Sequence, residues 1–346
     1  MEVTTIQNTC TLSENSLRFG NPVKDEDLDE LISGTTPANT KKSTAKAVRV
    51  FNDWRISRNT ALENIPNLDH FSVDDINRWL SRFIVEVRKR DGDFYPPKSL
   101  YLLTTGILRY MRENGNTLNF MNEKDDRFIR FRRSLDAQMK FLTSKGYGST
   151  VRQADPISRD QEERLWTSDV VGHESSETLL YGVFFYNCKL FGLRGRDEHH
   201  ELDISQFEVG EDDIGKFIQF VERANKTFKG GLKHRNVDHK NIKHYVTTED
   251  SDRNLVHLYT SYIGLIGDKD GKFYKRPIPG TLKFSKQNIG VNRFENLMKE
   301  MCNKAGLEGN FTNQSRKRTC ATQLYQSGLD EQQIMSRTVQ RSLNGV

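Results

Sequence analysis

Cysteine is scarce and unpaired in this sequence. Cys10, Cys188, Cys302 and Cys320 lie far apart and form no CxxC pair. That excludes the usual zinc ribbon and any dense disulfide scaffold, and it suits a reducing compartment. Eight Pro and twenty-four Gly are too few for a collagenous or largely disordered chain. No stretch approaches the ~20 apolar residues of a membrane span, so no membrane partner is expected. The opening segment MEVTTIQNTCTLSENSL has neither the basic nor the apolar region of a secretory signal. The common enzyme signatures are missing too: no GxxxxGK phosphate loop, no GxSxG elbow, no HExxH. No cofactor is implied. Asp197-Glu198-His199-His200-Glu201 carries metal-ligating side chains, but without partners at ligand spacing it does not define a metal site.

What is present is length, charge and aromatic residues. The 346 residues suit two domains at roughly 100–200 residues each, and twenty Phe with eleven Tyr can fill their cores. The net charge of +5 is unevenly spread. Residues 1–40 hold two Lys/Arg against seven Asp/Glu, a net −5. Residues 41–152 hold twenty-two against thirteen, a net +9. Residues 153–346 hold twenty-eight against twenty-seven, a net +1. A basic block of this kind is the footprint expected for a phosphate backbone. A solvated helical surface is the alternative, and charge by itself leaves both open.

The order of elements follows from apolar periodicity and punctuation. Residues 1–40 read as an acidic, flexible leader, with a charge run from Lys24 to Glu30 and SGTTPANT as linker material. Residues 41–145 read as a small helical domain of four amphipathic helices. The first carries Ala47, Val48, Phe51 and Trp54 on one face. The second starts at a Ser72/Asp75 capping box, the third after Pro96-Pro97, and the fourth spans about 125–145 with Phe128, Phe131, Leu135, Met139 and Leu142 inward. Residues 146–156 read as a linker. A Ser158/Gln161 capping box then opens a second domain, 157–346. It holds an apolar helix stopping at Gly192, a hairpin around GEDDIGK, a third strand near 243–246, and further helices at 254–266, 291–305, 315–327 and 330–337. The expected class is mainly α with a small antiparallel β-sheet.

Three segments carry a family resemblance: FGLRGRDEHHEL at 191–202, ERANKTFKGGLKHR at 222–235, and TNQSRKRTCATQLYQSGLDEQQIMSRTVQRSLNGV at 312–346. Together they resemble the catalytic domain of tyrosine recombinases. The likeness is strongest to the Crypton-type domain of eukaryotic DNA transposons and of host genes derived from them, including the zinc finger MYM-type proteins. NTKKSTAKAVRVFNDWR, PPKSLYLLTTGILRYMR and FRRSLDAQMK are similar to that family's N-terminal core-binding helices. The resemblance implies a two-domain clamp, with a helical DNA-binding domain at 41–145 and a catalytic-like domain at 157–346 that ends before the family's C-terminus.

In that family a Tyr attacks a DNA phosphodiester, while two Arg and a His or Lys neutralise the pentavalent phosphate. A turn Lys and a further His or Trp assist proton transfer. The resemblance places the first Arg on Arg194 and the turn Lys on Lys226, with Lys229 as competitor. The His-x-x-Arg pair falls on Gln314 and Lys317, and the second His on Gln340. Gln carries no charge, and Lys lacks the bidentate fork of Arg. The nucleophilic Tyr would fall beyond Val346. The resemblance therefore implies a nuclear, double-stranded DNA-binding protein with a disabled strand-cleavage site. Its expected DNA contacts are Lys41, Lys42, Lys46, Arg49, Arg130, Arg132, Arg133, Arg316 and Arg318. Other nuclear proteins and a homo-oligomer stay open as partners. Two other readings also remain: a protein-interaction or transcriptional scaffold module that has lost DNA binding, and a truncated form of an active integrase.

Overall fold

The computed structural model describes residues 20–58, 64–149, 153–193, 196–223, 240–268, 270–332 and 334. It divides into two compact units, Met1–Val151 and Arg152–Val346. The class is mainly α with small antiparallel β-sheets.

The first unit is helical. Helix α1 (Asp25–Gly34) lies in the stretch read as a flexible leader, so that expectation is corrected here. Asp25, Glu26 and Asp27 fill its first turn, where carboxylates favour a helix by facing the positive end of its dipole. Density of charge alone suggested disorder. α1 buries none of its side chains. Helix α2 (Ala38–Arg58) begins inside the expected linker and buries Thr44, Ala47, Phe51 and Trp54. Val48 is only half-buried. Helix α3 covers residues 73–86: Val73–Asp75, a π turn at Ile76–Leu80, and Ser81–Glu86. The Ser72/Asp75 box opens it, with the Asp75 amide donating to Ser72 Oγ at 3.2 Å and the Ser72 amide to Asp75 Oδ2 at 3.0 Å. Helices α4 (Pro97–Glu113) and α5 (Ile129–Ser144) complete the unit.

Contacts on two flanks fix α2 in this unit. A Cβ added at Gly106 of α4 would lie 2.6 Å from Ala47 Cβ, so α2 and α4 touch nearly backbone to backbone. Arg109 of α4 donates to Thr44 Oγ1 at 2.6 Å beside that crossing. On the other flank Phe51 and Trp54 meet Phe83 of α3 edge to face at 5.3 and 5.4 Å. Trp54 Nε1 also donates to Glu86 at 2.9 Å.

The second unit is built around helix α7 (Ser176–Phe191), which is buried on nearly all sides because its sequence is apolar all round. Ser175 caps it through Thr178, and Gly192 ends it in the left-handed region at φ 58°. Around it lie α6 (Arg159–Thr167), the short α8 (Arg196–Glu201) and α9 (Thr248–Asp252), and α10 (Leu255–Ile266), α11 (Arg293–Lys304) and α12 (Asn313–Gln326). Strands β1 (Phe207–Asp212), β2 (Gly215–Val221) and β3 (Asn241–Tyr245) form one antiparallel sheet in that order. β1 and β2 make the expected hairpin, with Asp212 opposite Gly215. A second pair, β4 (Lys275–Pro277) and β5 (Phe284–Asn288), was not expected. Its strands are short, polar and interrupted by Pro277, so no period-2 pattern marks them.

One buried carboxylate ties the helices of this unit together. Glu162 of α6 is 1% exposed. It accepts from Tyr186 and Lys189 of α7 at 2.9 and 2.8 Å, from Arg253 before α10 at 2.9 Å, and from Gln323 of α12 at 3.3 Å. Removing one member of such a buried cluster leaves the others uncompensated, at about 3–5 kcal/mol. Glu162→Gln is therefore expected to lower unfolding stability by roughly that amount, measured by urea denaturation. A loss under about 1 kcal/mol, the range of exposed ion pairs, would show that the cluster is not what holds α6, α7 and α12 together.

Candidate nucleic-acid interface

On α2, Lys42, Lys46 and Arg49 follow one another at i, i+4 and i+7, so they share one stripe of the helix. All three are exposed. The stripe lies about 140° round the helix axis from Phe51 and Trp54, at 100° per residue, and so faces away from α3. Asp53, also exposed, closes its C-terminal end. Lys41 is exposed and, with Arg49, lines a cleft of about 830 Å3 between α1 and α2. Asp29 and Ile32 of α1 and Val48 of α2 line the same cleft. One carboxylate of the acidic segment, Asp29, therefore lines the same cleft as two of the expected DNA contacts.

Arg130 and Arg133 of α5 are exposed. Arg132 is committed elsewhere: its guanidinium donates to the Asn122, Asp125 and Glu123 carbonyls at 2.7, 2.8 and 3.4 Å. It holds the loop before α5, a role that side-chain type alone does not disclose. Residues 78–88 carry arginines that sequence reading passed over. Arg78 and Arg82 lie over the Trp79 ring at 4.6 and 5.4 Å, and Arg88 lies over Phe94 at 3.8 Å. The signal for the first two was their i, i+4 spacing on the face opposite the apolar stripe.

In the second unit, Arg194, Lys226, its competitor Lys229 and Gln340 lie outside the described residues, as do the side chains of Arg316 and Lys317. Gln314 is exposed in the first turn of α12, with its amide donating to the capping Thr312 Oγ1 at 3.1 Å. Arg318 donates to Gln153 Oε1 at 2.8 Å and to the Ala154 carbonyl at 2.9 Å, which ties α12 to the start of the unit. Thr319 adds to this tie by accepting from the Ile157 amide at 2.8 Å. Tyr325 is exposed. The Asp197–Glu201 cluster is split by the fold. His199 is fully buried, between Tyr274 OH at 2.9 Å and Cys188 Sγ at 3.4 Å, while His200 meets Glu201, which pairs with Lys272. Among the described residues no group of three or more His, Cys, Asp or Glu is placed to hold a metal.

With this geometry in place, two family descriptions match the chain. Residues 39–142 match the QRICH1 domain, and residues 156–303 match a domain of unknown function, DUF3504. Human zinc finger MYM-type protein 3 is 30% identical over 134 residues, 39% of this chain and 9% of that protein. The human transcriptional regulator QRICH1 is 30% identical over 155 residues, 44% of this chain and 19% of that protein. Parts of the chain are thus similar to parts of the zinc finger MYM-type and QRICH1 proteins. The chain spans only a small part of their length. Among solved structures, the Tn1549 transposon integrase in complex with transposon right-end DNA superposes with a TM-score of 0.47 at 13% identity, over 92% of this chain and 90% of that one. XerA recombinase gives 0.39 at 16% identity, over 92% and 89%. These are likenesses of fold alone.

The sheet of the second unit is held by ionised side chains. Asp212, at the hairpin tip, accepts from Lys243 Nζ at 2.8 Å and Tyr245 OH at 2.9 Å. The Lys243 hydrogen bond is the main reason its carboxyl titrates at about 2. Asp250 sits at the junction of β3 and α9. Burial there opposes ionisation, but hydrogen bonds from His244 and from the Thr247 amide and hydroxyl outweigh it, holding the carboxyl at about 2. A carboxyl with a lowered folded pKa contributes stability that is fully present above its unfolded pKa, near 4, and lost as pH falls toward 2. Asp250 should contribute about 2 kcal/mol in this way. Asp250→Asn is expected to flatten the fall in stability between about pH 4 and pH 2. Parallel acid-unfolding curves for variant and parent would show that Asp250 is not a source of that slope.

Proposed function

We propose that this chain is a nuclear DNA-binding protein derived from a Crypton-type tyrosine recombinase, and that it does not cut DNA. The observation that carries the reading is the exposed stripe of Lys42, Lys46 and Arg49 on α2, within a segment of net +9. Its cations are spaced one helical turn apart and stand on a helix fixed by the Gly106–Ala47 crossing. That arrangement suits a row of backbone phosphates, whose contacts position a protein without reading sequence. The names of its relatives, a transcriptional regulator and zinc finger MYM-type proteins, support a nuclear role.

Binding through phosphates releases counterions, so log affinity for duplex DNA should fall linearly with log salt, by about −0.9 per phosphate neutralised. Lys42→Ala, Lys46→Ala and Arg49→Ala together should make that slope shallower by about 2–3 and weaken all sequences alike. Removing residues 1–34 takes away α1 and leaves α2 whole, and it should tighten binding by relieving the acidic competitor. No salt-dependent binding at low ionic strength would end the DNA reading in favour of a protein-interaction module.

The absence of cleavage rests on Gln314 and Lys317 standing where the family has His and Arg. Loss of a single phosphate-site donor commonly costs ~10²–10³ in rate. Incubation with duplex DNA followed by denaturing electrophoresis is expected to show no protein–DNA adduct. A covalent adduct would overturn this part and revive the integrase alternative.

A further inference from the structure

Helix α1 carries five carboxylates, Asp25, Glu26, Asp27, Asp29 and Glu30, and no cation. Leu28, Leu31 and Ile32 follow the i, i+3, i+4 spacing, so they form one stripe about 100° wide. Such a stripe belongs to a helix that packs against something. Yet Leu28 is 45% exposed, Leu31 71% and Ile32 61%, and α1 buries none of its side chains. The complementary surface stands beside it on the same chain. From Ala38 to Arg49, α2 carries Lys41, Lys42, Lys46 and Arg49 and no acidic residue. Between the two helices, the cleft of about 830 Å3 has apolar lining from Ala45 and Val48 of α2 and the Tyr110 ring of α4, and two cations, Lys41 and Arg49.

Helix α1 cannot turn its own stripe into that cleft. Only Thr35, Thr36 and Pro37 separate α1 from α2. The Thr35 amide donates to the Ile32 carbonyl at 3.1 Å, the Thr36 amide to the Ser33 carbonyl at 3.2 Å, and the Thr40 amide to the Pro37 carbonyl at 2.8 Å. The ring of Pro37 fixes its φ. Rotating α1 about its axis would break these bonds, so Leu28 and Leu31 stay outward and only a second molecule can cover them. An acidic apolar helix beside a basic apolar cleft makes a surface complementary to itself. Two-fold pairing needs that property, because each contact is then made twice. We infer that two copies of the chain pair through this region, α1 of each copy laying Leu28, Leu31 and Ile32 into the α1–α2 cleft of the other. The carboxylates of α1 then meet Lys41 and Arg49 of the second copy, and the opposite charges fix how the helices lie. The pairing covers two of the expected DNA contacts but does not rest on the DNA-binding reading: a chain that bound no duplex would still pair.

The test is sedimentation velocity of the full chain, without nucleic acid, over a hundredfold range of concentration. The parent should pass from monomer to dimer as concentration rises. Leu28→Ser, Leu31→Ser and Ile32→Ser together should weaken pairing about tenfold or more. All three side chains are exposed, so this variant should keep the parent's unfolding midpoint. Charge exchange gives a second reading that does not depend on the apolar stripe. Lys41→Glu with Arg49→Glu sets like charges against one another at both seats, and so does Asp27→Lys with Asp29→Lys. Each of these double variants alone should stay monomeric. An equimolar mixture of the two restores opposite charges at both seats and should form the mixed dimer. A parent that stays monomeric throughout the range would overturn the inference. So would a dimer that survives the three serines, because the contact would then lie elsewhere on the chain, and so would a mixture that stays monomeric.

Discussion

A negative charge inside a protein must be answered from several sides, and in the second unit that charge is Glu162. Its two oxygens receive a phenol, an ammonium, a guanidinium and an amide from separate elements. Burial of an ion costs several kcal/mol unless its partners are well placed, so each element is held to the position that satisfies it. Trp166 Nε1 extends the network by donating to Tyr186 at 2.9 Å. Arg253 reaches onward to Glu163 and Glu249. The position of α12 follows from this centre, because Gln323 joins it and Thr319 and Arg318 clasp the first residues of the unit. Among its described residues the first unit has no such ion at its centre. There an absent side chain at Gly106 and a cluster of aromatic rings set the helix positions.

Much of the fold could be read directly. Helical stripes gave the second to fifth helices of the first unit, because their apolar residues recur at the right interval. The capping boxes at Ser72 and Ser158 form as their side-chain types and spacing require. Gly192 stops α7 in the conformation that glycine tolerates best. What escaped reading shares a cause: the meaning of a charged residue depends on its neighbours in space. The carboxylates of α1 looked like disorder yet occupy a helix N-terminus. Arg132 looked like a phosphate contact yet serves three carbonyls. Glu162 carries no sequence signal that sets it apart from its neighbours, yet it is buried at the centre of the second unit. His199 belongs to a cluster of metal-ligating side-chain types that was not read as a metal site, and it is packed against Phe184, Tyr274 and Phe294.

The two cationic faces differ in kind. Lysines are compact point charges on flexible stems, while stacked arginines are planar and fixed. Lys42 and Lys46 can shift their charges on flexible stems, whereas Arg78 and Arg82 are laid against the Trp79 ring. The same domain thus carries an adaptable surface and a preset one, separated by the aromatic cluster of Phe51, Trp54 and Phe83.

The π turn at Ile76–Leu80 has a consequence of its own. A turn of this kind behaves as an α-helix with one residue inserted, and one residue corresponds to about 100° of rotation. Remove that residue, and everything after it turns with respect to the core: Phe83 would swing out of the cluster it shares with Phe51 and Trp54, and Arg82 would swing off Trp79. Substitutions along α3 can be absorbed one at a time, but a change of length cannot. Chain length between Ser72 and Phe83 is therefore a more stringent constraint than the identity of most side chains within it.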